Sequence, residues 1–366
     1  MAQSFSEIAG GRRRQVDGLR MIAMLGVFYV HFWNEFPVIE HARVSLFFVV
    51  SGFLITVILL RARQHGGRFR TARNFYIRRA LRLLPPLLLV LAFAAALDME
   101  GIRSSLPWHI FQLTNLHAFL NRSWDPWITA HLWSLNMLEQ FYACWPLVIL
   151  LLPLRRAVQI TAVMLVLPAV VYAAALEGSK WTGIVVGFDS IAAGALLALS
   201  MNRPEVWRVL SAPAAGLAAC VFVLSPLLFS AGFGQTQVYR VLLILALAVI
   251  VAGAWEGYKG PAGYLLGGRL AGFVNRISYS AYIYHLPLWW FLVHYGDRSL
   301  YERGPRTFVI MSAASLLAAS VSWYCMERPI AALKEKFPTR PPGPGGKESA
   351  AENDETGQPP ARQSVG

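Results

Sequence analysis

Four ionisable residues fall inside stretches otherwise apolar enough for lipid: His31, Glu139, Asp189 and His285. Such groups are costly in a bilayer and usually face a cavity or a partner. At ~1.5 Å of rise per residue across ~30 Å of hydrocarbon, all four come out roughly 9–12 Å below the same surface. That common depth points to one shared polar cavity. A neutral imidazole beside a carboxylate can take a proton from a hydroxyl. The carboxylate then holds the tautomer and stabilises the imidazolium that forms. This constellation suits acyl transfer to an alcohol, with His31 as base and Glu139 as its orienter. A transporter or flippase of a glycan or small solute would use similar residues for proton coupling, and is the alternative.

Each of these residues also has a plainer reading. A histidine in a membrane helix, His285 among them, can cap a neighbour's carbonyl. Glu139 can be half of a structural ion pair. Asp189 lies in "GFDSIAAGALLAL", whose small residues favour tight helix packing. His31 has Asn34 one turn further along its helix, which favours a polar site there. Trp133 and Ser134 precede Glu139 on the same segment and are expected to line the cavity.

The elements that must position these residues are membrane helices. Of the 366 residues, 56% are hydrophobic and only 14% are charged. Soluble domains carry about 25% charged residues. Apolar runs predict about ten transmembrane helices, near 19–36, 43–60, 80–97, 132–152, 157–176, 183–200, 208–230, 238–254, 273–294 and 306–326. Backbone polar groups in lipid must be satisfied within their own segment, so the fold class is all-α and polytopic. The N-terminal Arg12–Arg14 run followed by apolar residues resembles a signal peptide, but no small-residue cleavage site follows, and it reads as an uncleaved first span. With both termini cytoplasmic, 25 of the 33 Lys and Arg residues fall on the cytoplasmic side. The outer side keeps eight, Arg43 and Arg240 among them. The net charge of +13 is explained by this topology, with no need of nucleic acid as a partner.

The expected organisation is a cytoplasmic segment 1–18, a membrane domain 19–330 and a mostly disordered cytoplasmic tail 331–366, rich in Pro, Gly and charge. The outer loop 98–131 carries Trp108, Trp124 and Trp127, which suit a cover at the membrane interface. Cys144, Cys220 and Cys325 read as packed thiols, and no spacing suggests a metal.

Six stretches in order resemble the membrane acyltransferases called acyltransferase family 3. They are "VDGLRMIAMLGVFYVHF", "SLFFVVSGFLIT", "FYIRRALRLLPP", "HLWSLNMLEQFYACWPL", "ISYSAYIYHLPL" and "YCMERPI", covering residues 16 to about 330. The resemblance implies acyl transfer, often of acetyl, from cytoplasmic acyl-coenzyme A to a hydroxyl of a carbohydrate, a lipid-linked glycan among them. It implies the plasma (inner) membrane and its lipid as the setting, acyl-coenzyme A as co-substrate and no bound cofactor. It marks His31 as the catalytic residue and the Arg-x-x-Arg pair, Arg79 and Arg82, as serving the donor, with Arg20 and Arg78 behind them. Guanidinium forks suit the phosphates of coenzyme A. One departure stands out: the family's acid more often lies at the position of Leu138, one residue before Glu139, and one residue turns a helix by about 100°.

Overall fold

The computed structural model describes residues 14–64, 67–174, 187–201, 203–211, 232 and 237–338. Its long helices are α1 (Arg14–Phe32), α2 (Pro37–Arg63), α3 (Arg68–Ala96), α4 (Leu132–Leu151), α5 (Leu154–Ala174), α6 (Phe188–Ser200), α7 (Gln237–Glu256), α8 (Arg269–Tyr295) and α9 (Pro305–Ser322). Among the described residues there is no strand, and six helices are long and apolar enough to cross a membrane. The chain is an all-α polytopic membrane protein. Helices expected at 183–200 and 208–230 fall wholly or partly outside the described residues, as does the tail from 339 on.

Helix α2 is the central post, packed against α1, α4, α6 and α7. Phe48, Val49, Val50 and Phe53 on it are fully buried. Phe53 packs edge-on against Trp255 of α7 and is stacked with Trp207. Contact with α6 is backbone to backbone: a Cβ on Gly52 would overlap the Ile191 carbonyl, and one on Gly194 the Val49 carbonyl. The small residues of "GFDSIAAGALLAL" therefore do allow close helix approach. Helix α8 packs against α9, α1 and α3, so α1 sits between the α2 and α8 groups.

The lipid-facing sides are apolar and exposed. Leu84, Leu88, Leu89 and Phe93 of α3, and Val163, Val166 and Val170 of α5, point away from the protein. Cys144 and Cys325 are also exposed, which corrects the reading of packed thiols. A thiol behaves as a small hydrophobe, so facing lipid costs it little. Cys220 lies outside the described residues.

A second correction concerns the arginines. The spans expected at 43–60 and 80–97 left Arg61 to Arg79 in a loop, yet α3 begins at Arg68 and runs unbroken to Ala96. Arg is a good helix former. Arg78, Arg79 and Arg82 therefore stand on a helix, and their reach is set by its faces. Beyond α9 the helix widens into a π-turn at Trp323–Glu327. Glu327 turns inward there, accepting from Ser280 Oγ (2.6 Å) and Ser322 Oγ (2.8 Å).

Between α3 and α4 lie a 3₁₀ turn (Met99–Ser104) and three short helices (Leu106–Ile110, Thr114–Asn121, Trp127–Ala130). They are pinned to α4 by amides. Asn136 Oδ1 accepts from the Thr114 N–H (2.7 Å), and Gln140 and Asn115 form a reciprocal side-chain pair at 2.9 and 3.2 Å. Trp124 and Trp127 are exposed on this cover.

Candidate active site

His31 lies in the last turn of α1. Its Nδ1 stands 2.7 Å from Nε2 of His285, near the middle of α8. The two rings are stacked, 4.9 Å between centroids and 13° between planes. His285 Nδ1 donates to the Tyr282 carbonyl, one turn earlier on α8. Only one arrangement of protons satisfies this chain. His285 carries its proton on Nδ1, so its Nε2 is an acceptor. His31 must then donate through Nδ1, and in the neutral ring the lone pair of its Nε2 meets only a long contact from Arg43. The second histidine takes the orienting part that a carboxylate plays in hydrolase triads.

Three further groups surround the pair. Arg43 of α2 points Nη2 at His31 Nε2 (3.4 Å) and is held by Glu40 through Nε (3.1 Å) and Nη2 (2.6 Å). His131, just before α4, stands edge-on to His285 at 4.7 Å. It is buried, and neither of its ring nitrogens completes a hydrogen bond of good geometry. Tyr282 staples the two helices: its hydroxyl donates to the His131 carbonyl (2.6 Å) and meets Ser134 Oγ (2.8 Å).

Below this group runs a narrow cavity of ≈ 30 Å³. Arg20, Met24 and Val27 of α1 line it, with Arg43 and Phe47 of α2 and Ser134 of α4. Its walls are mostly apolar, with Arg20 and Arg43 among them. Of the residues expected to line a cavity, Ser134 does so. His285 stands beside the lining, and Trp133 packs edge-on behind it against Phe48 (6.2 Å).

Glu139 and Asp189 do not join His31. Glu139 Oε1 lies 4.0 Å from Arg79 Nη2, and the Arg79 guanidinium sits over the Tyr142 ring at 3.7 Å. Asp189 pairs with Arg240 (2.5 and 3.0 Å). The common cavity expected for the four residues thus resolves into three groups, because depth fixes height in the bilayer but leaves the helix face open. Glu139 makes no hydrogen bond to His31, so the orienting contact expected of it belongs to His285.

The arginines on the donor side divide as well. Arg20, half-buried on α1, lies within electrostatic reach of Asp17, Tyr142, Arg79 and Arg82. The Nε atoms of Arg20 and Arg79 are buried without a hydrogen-bond partner. Arg82 Nη2 donates to the Arg276 carbonyl (3.3 Å). Arg78 donates to the Lys334 carbonyl (2.8 Å), which ties the chain after α9 to α3. Among the described residues, no group of three or more His, Cys, Asp or Glu is arranged to hold a metal.

Sequence reasoning missed His131, Arg43 and Tyr282. His131 opens the stretch "HLWSLNMLEQFYACWPL" but lies at a helix end, where a histidine attracts no notice. Arg43 counted only as an outer topology charge. Its burial, at 7% exposure, is what sets it apart.

Comparison with known proteins places the chain in a family. The family described as "Acyltransferase domain" matches residues 13–326. OatA of Staphylococcus aureus strain NCTC 8325, named an O-acetyltransferase, is 26% identical over 362 residues, 86% of this chain and 56% of OatA. YrhL of Bacillus subtilis strain 168, provisionally named a peptidoglycan O-acetyltransferase, is 28% identical over 352 residues, 86% of this chain and 54% of YrhL. A provisionally named O-acetyltransferase of S. aureus strain COL is 35% identical over 161 residues, 40% of this chain and 26% of its own. The chain thus matches between a quarter and just over half of the length of these relatives. No solved structure matches it at the same level. The family model covers residues 13 to 326, most of the chain, and the protein belongs to the acyltransferase domain family.

Proposed function

We propose that the protein is an O-acyltransferase of the plasma membrane. It moves an acyl group, acetyl first of all, from cytoplasmic acyl-coenzyme A to a hydroxyl of a carbohydrate at the outer face. The observation that carries this reading is the His31–His285–Tyr282 relay beside a cavity that Arg20, Arg43 and Tyr282 line. His31 lies eleven positions after Arg20 on α1, about 16 Å along the helix. In this reading Arg20, Arg79 and Arg82 hold donor phosphates, and the thioester reaches His31 through the cavity. Arg78 has a more remote part, since its contact is the Lys334 carbonyl. The relatives' names favour acetyl as the group and peptidoglycan as an acceptor. Glu139 enters as the partner of Arg79 on the donor side, and Asp189 with Arg240 as a packing element.

The step is a direct transfer. The acceptor hydroxyl gives its proton to His31 Nε2 while its oxygen attacks the thioester carbonyl carbon. A carbon–oxygen bond forms and the carbonyl becomes an oxyanion. Collapse breaks the carbon–sulfur bond, and the departing thiolate takes the proton from His31. Ester and free thiol are the products. His285 keeps the His31 ring turned and its Nδ1 proton in place throughout.

The test uses purified protein in detergent with acetyl-coenzyme A and soluble peptidoglycan fragments. Ester formation and thiol release are measured for wild type and His31→Ala. The variant is expected to lose at least 10²-fold in rate, the usual worth of a general base. Thiol release equal in the two proteins removes His31 from this role.

A further inference from the structure

We propose that Arg43 is a catalytic residue that binds the oxyanion formed on the thioester carbonyl. The inference deepens the O-acyltransferase reading and rests on it.

Arg43 is unusual for a charge at the outer end of a membrane helix. It is 7% exposed, whereas its partner Glu40 has 43% of its side chain exposed. An arginine that only marks topology or reaches for lipid headgroups would turn outward along its own stem. This one turns inward. Glu40 engages Nε and Nη2 of the guanidinium, which fixes the plane of the fork. Nη2 then lies 3.4 Å from His31 Nε2. Nη1 makes no hydrogen bond within the described protein, although the residue lines the cavity. The stem lies across α1 at Gly26, where a Cβ would come within 3.1 Å of the Arg43 Cβ. The sequence has kept that strip of α1 clear of side chain.

The chemistry needs a donor at this place. A hydroxyl hydrogen-bonded to Nε2 of His31 has its oxygen about 3 Å from that nitrogen, and the carbon it attacks about 3–3.5 Å further on. The fork of Arg43 flanks the same nitrogen. Its remaining N–H groups are therefore beside the carbonyl oxygen as it gains charge. A fixed cation in a dry site is worth most at that moment, since nothing has to reorganise. His131 and Tyr282 pack against His285, and neither makes a hydrogen bond to Nε2 of His31. The acceptor proton still goes to His31 and returns to the thiolate. Arg43 exchanges none.

The experiment compares wild type, His31→Ala, Arg43→Gln, Arg43→Lys and Arg43→Ala, each full-length in detergent, with acetyl-coenzyme A and peptidoglycan fragments. Arg43→Gln is expected to lower kcat about 10²–10³-fold and to leave KM for acetyl-coenzyme A within about threefold. Arg43→Lys keeps the charge but not the fork, and is expected to fall between it and wild type. Guanidinium ion added to Arg43→Ala should restore part of the rate, an effect that a purely structural loss does not show. If Arg43→Gln does not fold, Arg43→Lys and the guanidinium titration read the same question. A wild-type kcat in Arg43→Lys together with no rescue, while His31→Ala is inactive, overturns the proposal for Arg43 alone. A wild type that transfers nothing overturns the O-acyltransferase reading beneath it.

Discussion

His31 and His285 form a pair in which each ring nitrogen has one assigned duty. Three are settled by hydrogen bonds within the protein, and the fourth, Nε2 of His31, meets only a long contact from Arg43. Removing His285 should free the His31 ring to turn and to change tautomer. His285→Ala is therefore expected to lower kcat by about 10²-fold or more with little change in KM, by the same reasoning that gives a general base its worth. Glu139→Gln provides the contrast. Its contact with Arg79 is at 4.0 Å, the outer limit of an ion pair, and it does not touch the histidines. Its expected effect is a rise in KM for acyl-coenzyme A with kcat reduced less than about tenfold. Steady-state kinetics of the two variants side by side would falsify the assignment if Glu139→Gln proved the more damaging in kcat. At this scale the sequence was half legible. A histidine in an apolar run stands out on its own, so His31 and His285 could be named. The partners could not, because partnership depends on which face of each helix turns inward, and that is set by packing between segments far apart in the chain.

At the scale of elements, the fold rests on close approach between α2 and α6. The Gly52 and Gly194 positions let the two backbones touch, each against a carbonyl of the other helix. Gly52→Ala therefore forces carbonyl and methyl apart, an overpacking cost of about 1–3 kcal/mol. The expected outcome is a lower thermal midpoint in detergent with the kinetics of the surviving protein unchanged. A midpoint equal to that of wild type would show that the helices can separate freely. The glycines and small residues were visible as a pattern, and the tight packing they imply was expected. What hydropathy could not show was where an arginine-bearing helix begins. The run Arg68 to Arg82 is polar enough to read as a loop, yet its residues favour helix, and α3 continues through it. Arg78 and Arg82 find backbone carbonyls to bond, at Lys334 and Arg276. An arginine can therefore serve packing where a count of charges sees only topology.

At the scale of the whole molecule, the cover between α3 and α4 is tied together internally as well as pinned to α4. Its centre is His109, 1% exposed. The ring is bonded on both nitrogens, to Ser105 Oγ (3.0 Å) and Thr129 Oγ1 (3.3 Å) on Nε2 and to Thr114 Oγ1 (2.9 Å) on Nδ1. Those three residues lie on or beside three successive short helices, so one imidazole holds the cover together. Burial, with His117 nearby, lowers the His109 pKa to about 4. An exposed histidine titrates near 6.5. Above pH 6.5 the ring is neutral whether the cover is closed or open, and pH has no leverage through it. Between pH 6.5 and 4 an opened cover takes up a proton that the closed one refuses, so closure weakens as pH falls, by about 1.4 kcal/mol per unit at most. Below the folded value the loss is complete and the slope disappears. With the loop on the outer side, as the distribution of arginine and lysine expects, it is the external pH that acts on it. Amide exchange in residues 105–130, corrected for the intrinsic rate, should then lose protection from pH 7 to pH 5 in wild type. In His109→Gln, which cannot titrate, the pH dependence should be much flatter even if the cover is looser throughout. Equal slopes in the two proteins would mean that the cover is held by the Asn136, Gln140 and Asn115 amides alone, and that the histidine only fills space.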